Sequence, residues 1–277
     1  ALLAADAAHQ GEYATARALA SRVIERDRVG LVSAHETLQD CALYEGQLDE
    51  ARGHSTAMVE IGHEHGDEHA LVLGILGQGL AMAYRGDREE AVELFRRQIS
   101  VGVAPTHHAW LRFGLGEALA EEDPARAVEH LEQALSIADS VSNHFVAGVA
   151  GIAASSVRGR LGDPEQALPG FLPVFKSFRR NGNRSHTVTG LRNLVCTLAA
   201  AERDEMAMLI LGGLQADARR VPYGEERDRL DAARQGAVGR AGRDAVEEWL
   251  DQGAEGGHAG ALDAAVDCLE ALNAGAC

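Results

Sequence analysis

The stretch GDREEAVELF, residues 86–95, decides the fold of this chain. Gly86 can adopt the positive φ that ends a helix. Asp87 is expected to cap the start of the next helix, and the glutamates that follow it suit the dipole at a helix N-terminus. Ala91 and Phe95 are four residues apart, which places them on one face of that helix. The stretch therefore predicts a helix end, a tight turn and the first turns of a second helix.

The same pattern, a Gly or Asp turn followed by an alanine, recurs along the chain. The anchoring alanines are Ala16, Ala51, Ala91, Ala127, Ala167 and Ala207. Helix–turn–helix units of ~34 residues with loops of variable length produce the observed spacing of 35 to 40 residues between them. At each alanine we expect two helix backbones to approach closely, because a larger side chain would overpack the contact.

The composition predicts an all-α chain. Of the 277 residues, 46% are apolar and only 4% are aromatic. Few strand formers and many Ala, Leu, Glu and Arg residues favour helices. We therefore expect an α-solenoid of about six helix–turn–helix repeats, followed by a helical cap.

Net charge and cysteine spacing limit the partners and the compartment. The formal net charge of −16 disfavours contact with the phosphate backbone of nucleic acids. The cysteines, Cys41, Cys196, Cys268 and Cys277, form no CxxC pair, as expected in a reducing cytoplasm. No run of about 18 uncharged apolar residues is present. The sequence predicts a cytoplasmic segment that contacts neither nucleic acid nor membrane.

The repeat resembles the tetratricopeptide (TPR) family. Gly79, Ala91 and Phe95 give the best single match, and the resemblance covers residues 1–215. Most copies depart from the family pattern, because the early aromatic of the first helix and the closing proline are missing. The resemblance implies degenerate helix pairs whose first helices line a concave binding groove.

The repeat pattern stops after Leu214, and residues 216–277 are predicted to form a helical tail. The pattern indicates a helix from Glu225 to Arg240 and another that opens at Asp244. A glycine-rich break over 253–260 and a last helix over 261–272 are expected to follow.

This tail resembles the C-terminal end of large bacterial regulators with a STAND-type ATPase module and a TPR arm. The segments LILGGL (209–214), EER (225–227) and GRDAVEEW (242–249) carry the resemblance. Members of that group also bear a LuxR-type or SARP-type DNA-binding domain, or a class III nucleotide cyclase domain. The resemblance implies an interaction arm cut from a longer chain, with an upstream NTPase and effector domains as its partners.

Catalytic motifs are missing from the sequence, which has no GxxxxGK[ST], HExxH or GxSxG. We therefore expect no catalytic residues, no cofactor and no resident metal. The segment HEHGDEH (63–69) is dense in metal-binding residue types, but His63 and His65 lie on different sides of a helix. A solvated loop is the simpler interpretation, and a metal-dependent enzyme is one alternative function.

The predicted groove would be lined by polar and aromatic residues of the first helices that escape the core pattern. Arginines can hold a carboxylate or phosphate through two hydrogen bonds, and aromatic rings can anchor a peptide. These candidates are Tyr44, Tyr84, Arg112, Arg158, Arg160, Arg192 and Asn193. We expect a protein, a peptide or a small effector to bind there. The alternative is a spacer or self-association platform without a ligand.

A basic segment, RRNGNR (179–184), stands out on this acidic chain. It offers a second place for a phosphate or an acidic partner. A solvated loop between repeats is the simpler interpretation.

Overall fold

The computed structural model describes residues 1–26, 30–216 and 222–275, and the regular elements within these ranges are all helices. The predicted all-α fold of about six TPR-like helix pairs with a helical cap is confirmed. The chain divides into two compact units, unit 1 (Ala1–Ala150) and unit 2 (Gly151–Cys277). The division of residues 1–215 from 216–277 follows the repeat pattern and stays a prediction.

Unit 1 consists of paired helices and the first part of α9 (His144–Arg160), which continues into unit 2. Its paired helices are α1 (Leu2–His9), α2 (Tyr13–Arg26), α3 (Leu31–Tyr44), α4 (Leu48–His65), α5 (Glu68–Arg85), α6 (Arg88–Val101), α7 (Pro105–Leu119) and α8 (Pro124–Ser140).

Unit 2 contains the rest of α9, the last repeats and the tail. Its further helices are α10 (Pro164–Ala167), α11 (Phe171–Asn181), α12 (Arg184–Ala200), α13 (Asp204–Gln215), α14 (Gly224–Ala241) and α15 (Arg243–Asn273). A 3₁₀ turn over Leu168–Gly170 separates α10 from α11. Pro169 lies in this turn and lacks the N–H that a continuous α-helix needs there.

The six anchoring alanines occupy one structural position. Each is the fourth residue of the second helix of its pair and is at most 2% exposed. Ala51 shows the reason, because it packs against Ala42 of its own first helix and Ala81 of the next first helix. A larger side chain would push these three helices apart. The close approach that the sequence predicted is confirmed by this packing.

The residue four positions after the alanine fills the space beside it. In the third pair this residue is Phe95, which is fully buried. A Cβ added at Gly79 or Gly114 would lie 2.2 or 2.5 Å from Cζ of Phe95. The ring of α6 thus occupies volume that glycines leave open on α5 and α7.

In the second pair this position is polar. Ser55 is fully buried, and its hydroxyl oxygen lies 2.7 Å from Oε1 of Gln39 and 2.7 Å from the carbonyl oxygen of Ala51. Gly77 makes room for the amide, because a Cβ there would lie 2.0 Å from Oε1 of Gln39. Hydrogen bonding offsets the desolvation cost of placing these groups in the core.

The turn after α5 has the expected left-handed backbone but not the expected cap. Gly86 has a φ of 102°. The side chain of Asp87 makes no capping hydrogen bond, and its carboxylate instead accepts one from Nε of Arg85 at 2.8 Å. In the next pair Asp123 does cap, since it accepts a hydrogen bond from the N–H of Arg126. The acidic residue before the second helix therefore binds an arginine of the first helix in one pair and caps the second helix in the next pair.

Glycines allow α13 and α15 to pack with their backbones in close approach. A Cβ at Gly212 would lie 2.1 Å from the carbonyl oxygen of Leu250, and one at Gly253 would lie 2.0 Å from that of Leu209. The expected break over 253–260 is confined to Gly257, whose φ of 57° and ψ of −159° kink α15. Most of the glycine-rich segment is helical because its glycines serve this contact.

An ion pair between the buried carboxylate of Asp204 and the exposed Arg240 ties α14 to the last repeat. Arg240 donates from Nε and Nη2 to the two carboxylate oxygens of Asp204, at 2.7 and 2.6 Å. Nη2 also donates to the carbonyl oxygen of Ala199 at 3.1 Å. Asp204 is buried as the first residue of α13. The bidentate contact, together with the hydrogen bond to Ala199, therefore holds α14 against both α12 and α13.

We predict that Gly253→Ala destabilises unit 2, whereas Gly260→Ala in the same helix does not. The first substitution places a methyl group against the α13 backbone and should lower the free energy of unfolding by ~1–3 kcal/mol. Gly260 has no atom within 4 Å of an added Cβ. Alanine there should leave stability unchanged or raise it by ~0.5–1 kcal/mol. Urea unfolding of both variants measures the difference, and equal losses would contradict the close approach.

Candidate functional site

The first helices line the inner side of unit 1. The ring centroid of His9 on α1 lies 6.0 Å from that of Phe145 on α9. These residues belong to the first helices of the first and fifth pairs. These two rings are four helix pairs apart in the sequence of unit 1. They come into contact only if the array of helix pairs in unit 1 curves so that the first helices lie on its concave side. We call the inward surface of α1, α3, α5, α7 and α9 within unit 1 the inner face.

A group of half-buried aromatic rings lies on the inner face. Trp110 of α7 lies between Phe145, at a centroid distance of 5.6 Å, and Phe113, at 6.0 Å with the rings edge to face. Trp110 also packs against a core that includes Ala109 and Val146. Rings that are only partly covered by their own chain keep apolar surface available to anchor a partner.

The helix α3 contributes two carboxyl groups. Leu38 packs toward α1 and α2, whereas Gln39 and Ala42 face α4 and α5. Glu36 and Asp40 are one helical turn apart on the remaining face. Because both neighbouring pairs are already contacted by the other two faces, these half-buried carboxyl groups belong to the inner face.

The surroundings of the two carboxyl groups favour their neutral forms. Burial raises the pKa of Asp40 to about 8, and the nearby charge of Glu36 adds to this effect, whereas a hydrogen bond with Gln39 opposes it. Burial also raises the pKa of Glu36. A cation bound beside them would favour ionisation, so this part of the inner face is suited to a positively charged group.

Two of the predicted groove residues in unit 1 are tyrosines with partners. Tyr44 at the end of α3 stacks on Tyr13, with ring centroids 5.8 Å apart and planes 4° from parallel. Tyr84 of α5 is 40% exposed and donates its hydroxyl proton to Glu117 of α7 at 3.1 Å. Tyr44 therefore belongs to the packing of the first two pairs, and Tyr84 to a polar contact between first helices.

Arg112 links α7 to α8. Its Nε lies 3.3 Å from Nε2 of His108, and its Nη1 lies 3.0 Å from Nδ1 of His130. Nη1 also donates to Oε1 of Gln133. The guanidinium is thus held by three side chains, two of which belong to α8.

The other predicted arginines lie in unit 2. Arg158 and Arg160 are exposed near the end of α9. Arg192 of α12 is only 9% exposed, and its Nη1 lies 2.8 Å from Oε2 of Glu226 on α14. The structure therefore brings Arg192 into a helix contact and leaves the two α9 arginines at the surface.

Several polar side chains of unit 2 lie near Arg160 and Arg192. Asn193, the last predicted groove residue, accepts a hydrogen bond from the hydroxyl of Ser156 at 3.0 Å. Burial raises the pKa of Cys196 to about 11, an effect that the charges of Arg229 and Arg160 oppose. Both arginines are therefore close enough to act on the thiol. Of the seven predicted residues, three lie in unit 1 and four in unit 2.

The histidine-rich segment 63–69 and the basic segment 179–184 are not loops as expected, because most of their residues belong to the ends of α4 and α11 and the starts of α5 and α12. His63 and His65 are exposed on the last turn of α4, and Asp67 caps α5 by accepting from a backbone N–H. Within the described ranges, no three or more His, Cys, Asp or Glu residues are grouped so as to hold a metal. Arg179 of the basic segment lies 3.4 Å from Asp263 on α15.

The sequence predicted a groove lined by the first helices but did not single out Glu36, Asp40 or the aromatic group of the inner face. The four-residue spacing of Glu36 and Asp40 was a usable signal, because it places both on a helix face off the apolar stripe. The aromatic group carried no such signal, since His9, Trp110 and Phe145 are far apart in the sequence.

Comparisons with known proteins place the fold. No protein-family model matches this sequence, and no curated protein matches it. The crystal structure of the apo form of RapI matches with a TM-score of 0.50 and 14% sequence identity, covering 89% of this chain and 96% of that one. This chain shares a fold with RapI. At this identity the likeness concerns the fold alone.

None of the described helices combines the length and the apolar character that crossing a bilayer requires.

We predict that Asp40→Asn stabilises the chain in a pH-dependent way. The carboxyl has a pKa of about 8 in the fold and ~3.9 when unfolded, so the folded wild type loses stability as pH rises from about 4 to 8. Asparagine mimics the neutral acid and avoids this loss. The advantage of the variant should grow by up to ~1.4 kcal/mol per pH unit.

Urea unfolding at about pH 5 and pH 8.5 measures this effect. Asp139→Asn is the matched control, because Asp139 is an exposed residue of α8. An advantage of Asp40→Asn that does not change between the two pH values would contradict the burial of this carboxyl.

Proposed function

We propose that this chain is a non-catalytic binding scaffold that receives a protein, a peptide or a small effector on its first helices. The observation that carries the proposal is the inner face of unit 1. There the half-buried rings of Trp110, Phe113 and Phe145 and the carboxyl groups of Glu36 and Asp40 share one inward surface. Core packing alone gives no reason to place acids on this surface.

The chemistry of the inner face supports a particular kind of ligand. Aromatic rings offer large apolar area with few rotatable bonds, which makes them efficient anchors. The acidic pair favours a positively charged group and disfavours phosphates and carboxylates. We therefore propose a peptide or protein segment that combines an apolar or aromatic side chain with a lysine or arginine.

The parent context is also proposed. The segments 209–214, 225–227 and 242–249 resemble the end of bacterial regulators with an upstream NTPase, and this resemblance supports a sensor or interaction arm. In this proposal the parent is a cytoplasmic LuxR-type or SARP-type transcriptional regulator, or a related cyclase-linked protein. Ligand binding to the arm would be passed to the upstream NTPase.

Unit 2 supplies the remaining groove candidates. We propose that Arg158 and Arg160, which are exposed on α9, contact an acidic group of a partner. Arg192 and Asn193 are proposed to support that surface, because they hold α12 to Glu226 of α14 and Ser156 of α9.

A selection from a displayed library of random peptides tests the binding proposal. Selected peptides should carry an aromatic or apolar residue together with Lys or Arg. Phe113→Ala should weaken their binding to the full chain at least ~10-fold, as expected for the loss of an anchoring ring. Val101→Ala is the control, since Val101 is exposed at the end of the second helix α6. Equal affinities for both variants would place binding elsewhere.

Self-association is a second candidate function, favoured by exposed leucines on α1. Leu2 and Leu3 are 88% and 74% exposed. Apolar side chains at such exposure gain free energy when a partner covers them. If they mediate association, sedimentation velocity should show a dimer that Leu2→Glu with Leu3→Glu abolishes. A monomer at all concentrations would exclude this function.

A further inference from the structure

Two helix contacts of unit 1 depend on the protonation state of histidine rings. In the first, Arg112 of α7 points its guanidinium at ring nitrogens of His108 and His130. An arginine side chain only donates hydrogen bonds, so both ring nitrogens must accept. An imidazolium ring has no acceptor nitrogen, and its charge repels the guanidinium. His130 lies on α8, so the Arg112–His130 contact between α7 and α8 exists in this form only while His130 is unprotonated. His108 lies on α7 and orients the guanidinium from there, again only while its ring is neutral. The hydrogen bond from Arg112 to Gln133 of α8 does not depend on either proton.

The second contact joins α3 to α4 through His35 and His54. Their Nδ1 atoms lie 3.1 Å apart, so one ring donates and the other accepts. The pair tolerates one added proton, because a single N–H still lies between the rings. Two added protons would place two N–H groups and two positive charges face to face.

We propose that these two contacts form a proton-sensitive joint in unit 1, which loosens the helix pairs α3–α4 and α7–α8 when pH falls below about 6.5. The inference is independent of which ligand the inner face binds. It implies that the first helices α3 and α7, which carry the acidic pair and the aromatic group, lose their support at acidic pH.

The electrostatic surroundings of the first contact agree with this sensitivity. Burial and the charge of Arg112 lower the pKa of His108. Burial and Arg112 also lower the pKa of His130, and Arg96 on α6 acts in the same direction, whereas Glu129 and Gln133 of α8 oppose it. On the α5 side, the neighbouring His107 contacts Glu68 and His69 instead.

The second contact is similar. Burial lowers the pKa of His35, and His54 adds to the effect. For His54, burial lowers the pKa and Arg17 of α2 acts in the same direction, while Glu50 raises it. A histidine whose pKa is lower in the fold than in the unfolded chain binds a proton more readily when unfolded. Its contribution to stability is complete above about pH 6.5 and is lost as pH falls toward the folded pKa.

Carboxyl groups with raised pKa values act in the opposite direction. The folded chain binds protons at Asp40 and Glu36 more tightly than the unfolded chain does, so these groups favour folding as pH falls. Global stability therefore mixes both effects, and a local measurement is needed to isolate the joint.

Hydrogen–deuterium exchange of the full chain at about pH 7.5 and 5.5, corrected for intrinsic exchange rates, provides this measurement. Amides of α7 and α8 should lose protection several-fold at the lower pH, up to ~10-fold for one histidine, because pH 5.5 lies about one unit below the ordinary histidine pKa of ~6.5. The double variant His108→Gln with His130→Gln keeps an acceptor oxygen at each position but cannot be protonated. It should keep α7–α8 protection at both pH values while α3–α4 still loosens.

Controls are available on the same chain. His63→Gln with His65→Gln changes two exposed histidines of α4 and should leave the pH response as in the wild type. Protection of α12 and α13 in unit 2 should change less than that of α7 and α8. The proposal is wrong if wild-type protection does not depend on pH, or if the double variant loosens in α7–α8 as the wild type does.

Imidazole ¹⁵N chemical shifts of the wild type give a second test that needs no variant at these positions. At neutral pH, His108 should carry its proton on Nδ1 and His130 on Nε2, because the other nitrogens face Arg112. Both rings should titrate below pH 6.5. The opposite tautomers, or titration at or above that pH, would overturn the proposal.

Discussion

The close approach of three helices at one alanine is the constraint on which the rest of the structure depends. The alanine is always the fourth residue of the second helix, and in the second pair Ala51 contacts both its own first helix and the next one. Only a small side chain lets all three backbones come together. Because one residue fixes both the packing within a pair and the packing to the next pair, repeating it is enough to build an array. The volume that it leaves is filled four residues later, by Phe95 in one pair and by the polar Ser55 in another.

This way of packing leaves the inward surface of the first helices free for other purposes. The helix α3 is held through the faces of Leu38 and Gln39, while Glu36 and Asp40 lie on its remaining face, where Asp40 has a hydrogen bond with Gln39. Placing two carboxyl groups there raises their pKa values and costs stability at neutral pH. Binding sites commonly accept such a cost, because a group held ready for a partner is poorly satisfied without it.

Polar groups add to the apolar packing at several of the helix contacts. Arg112 with its histidines links α7 to α8, and Arg240 with Asp204 links α14 to α13. Hydrogen-bonded contacts of this kind depend on geometry and protonation more sharply than apolar contacts do. In unit 2 the opposite solution also appears, since Gly212 and Gly253 bring α13 and α15 together without any side chain between them.

The sequence by itself determined the helix pairs, their number and the buried alanines, because these depend on local periodicity and on one small residue per repeat. It also indicated that 253–260 was special, although it suggested a break where the structure has a kink at Gly257 and a close helix contact. Only the tertiary structure decided which polar residues of the first helices contact a neighbouring helix. Arg192 and Arg112 stay predicted groove residues, and the structure adds that each contacts a side chain of a neighbouring helix. His9, Trp110 and Phe145 meet only because the array curves, and a curvature summed over many helix contacts leaves no local pattern in the sequence.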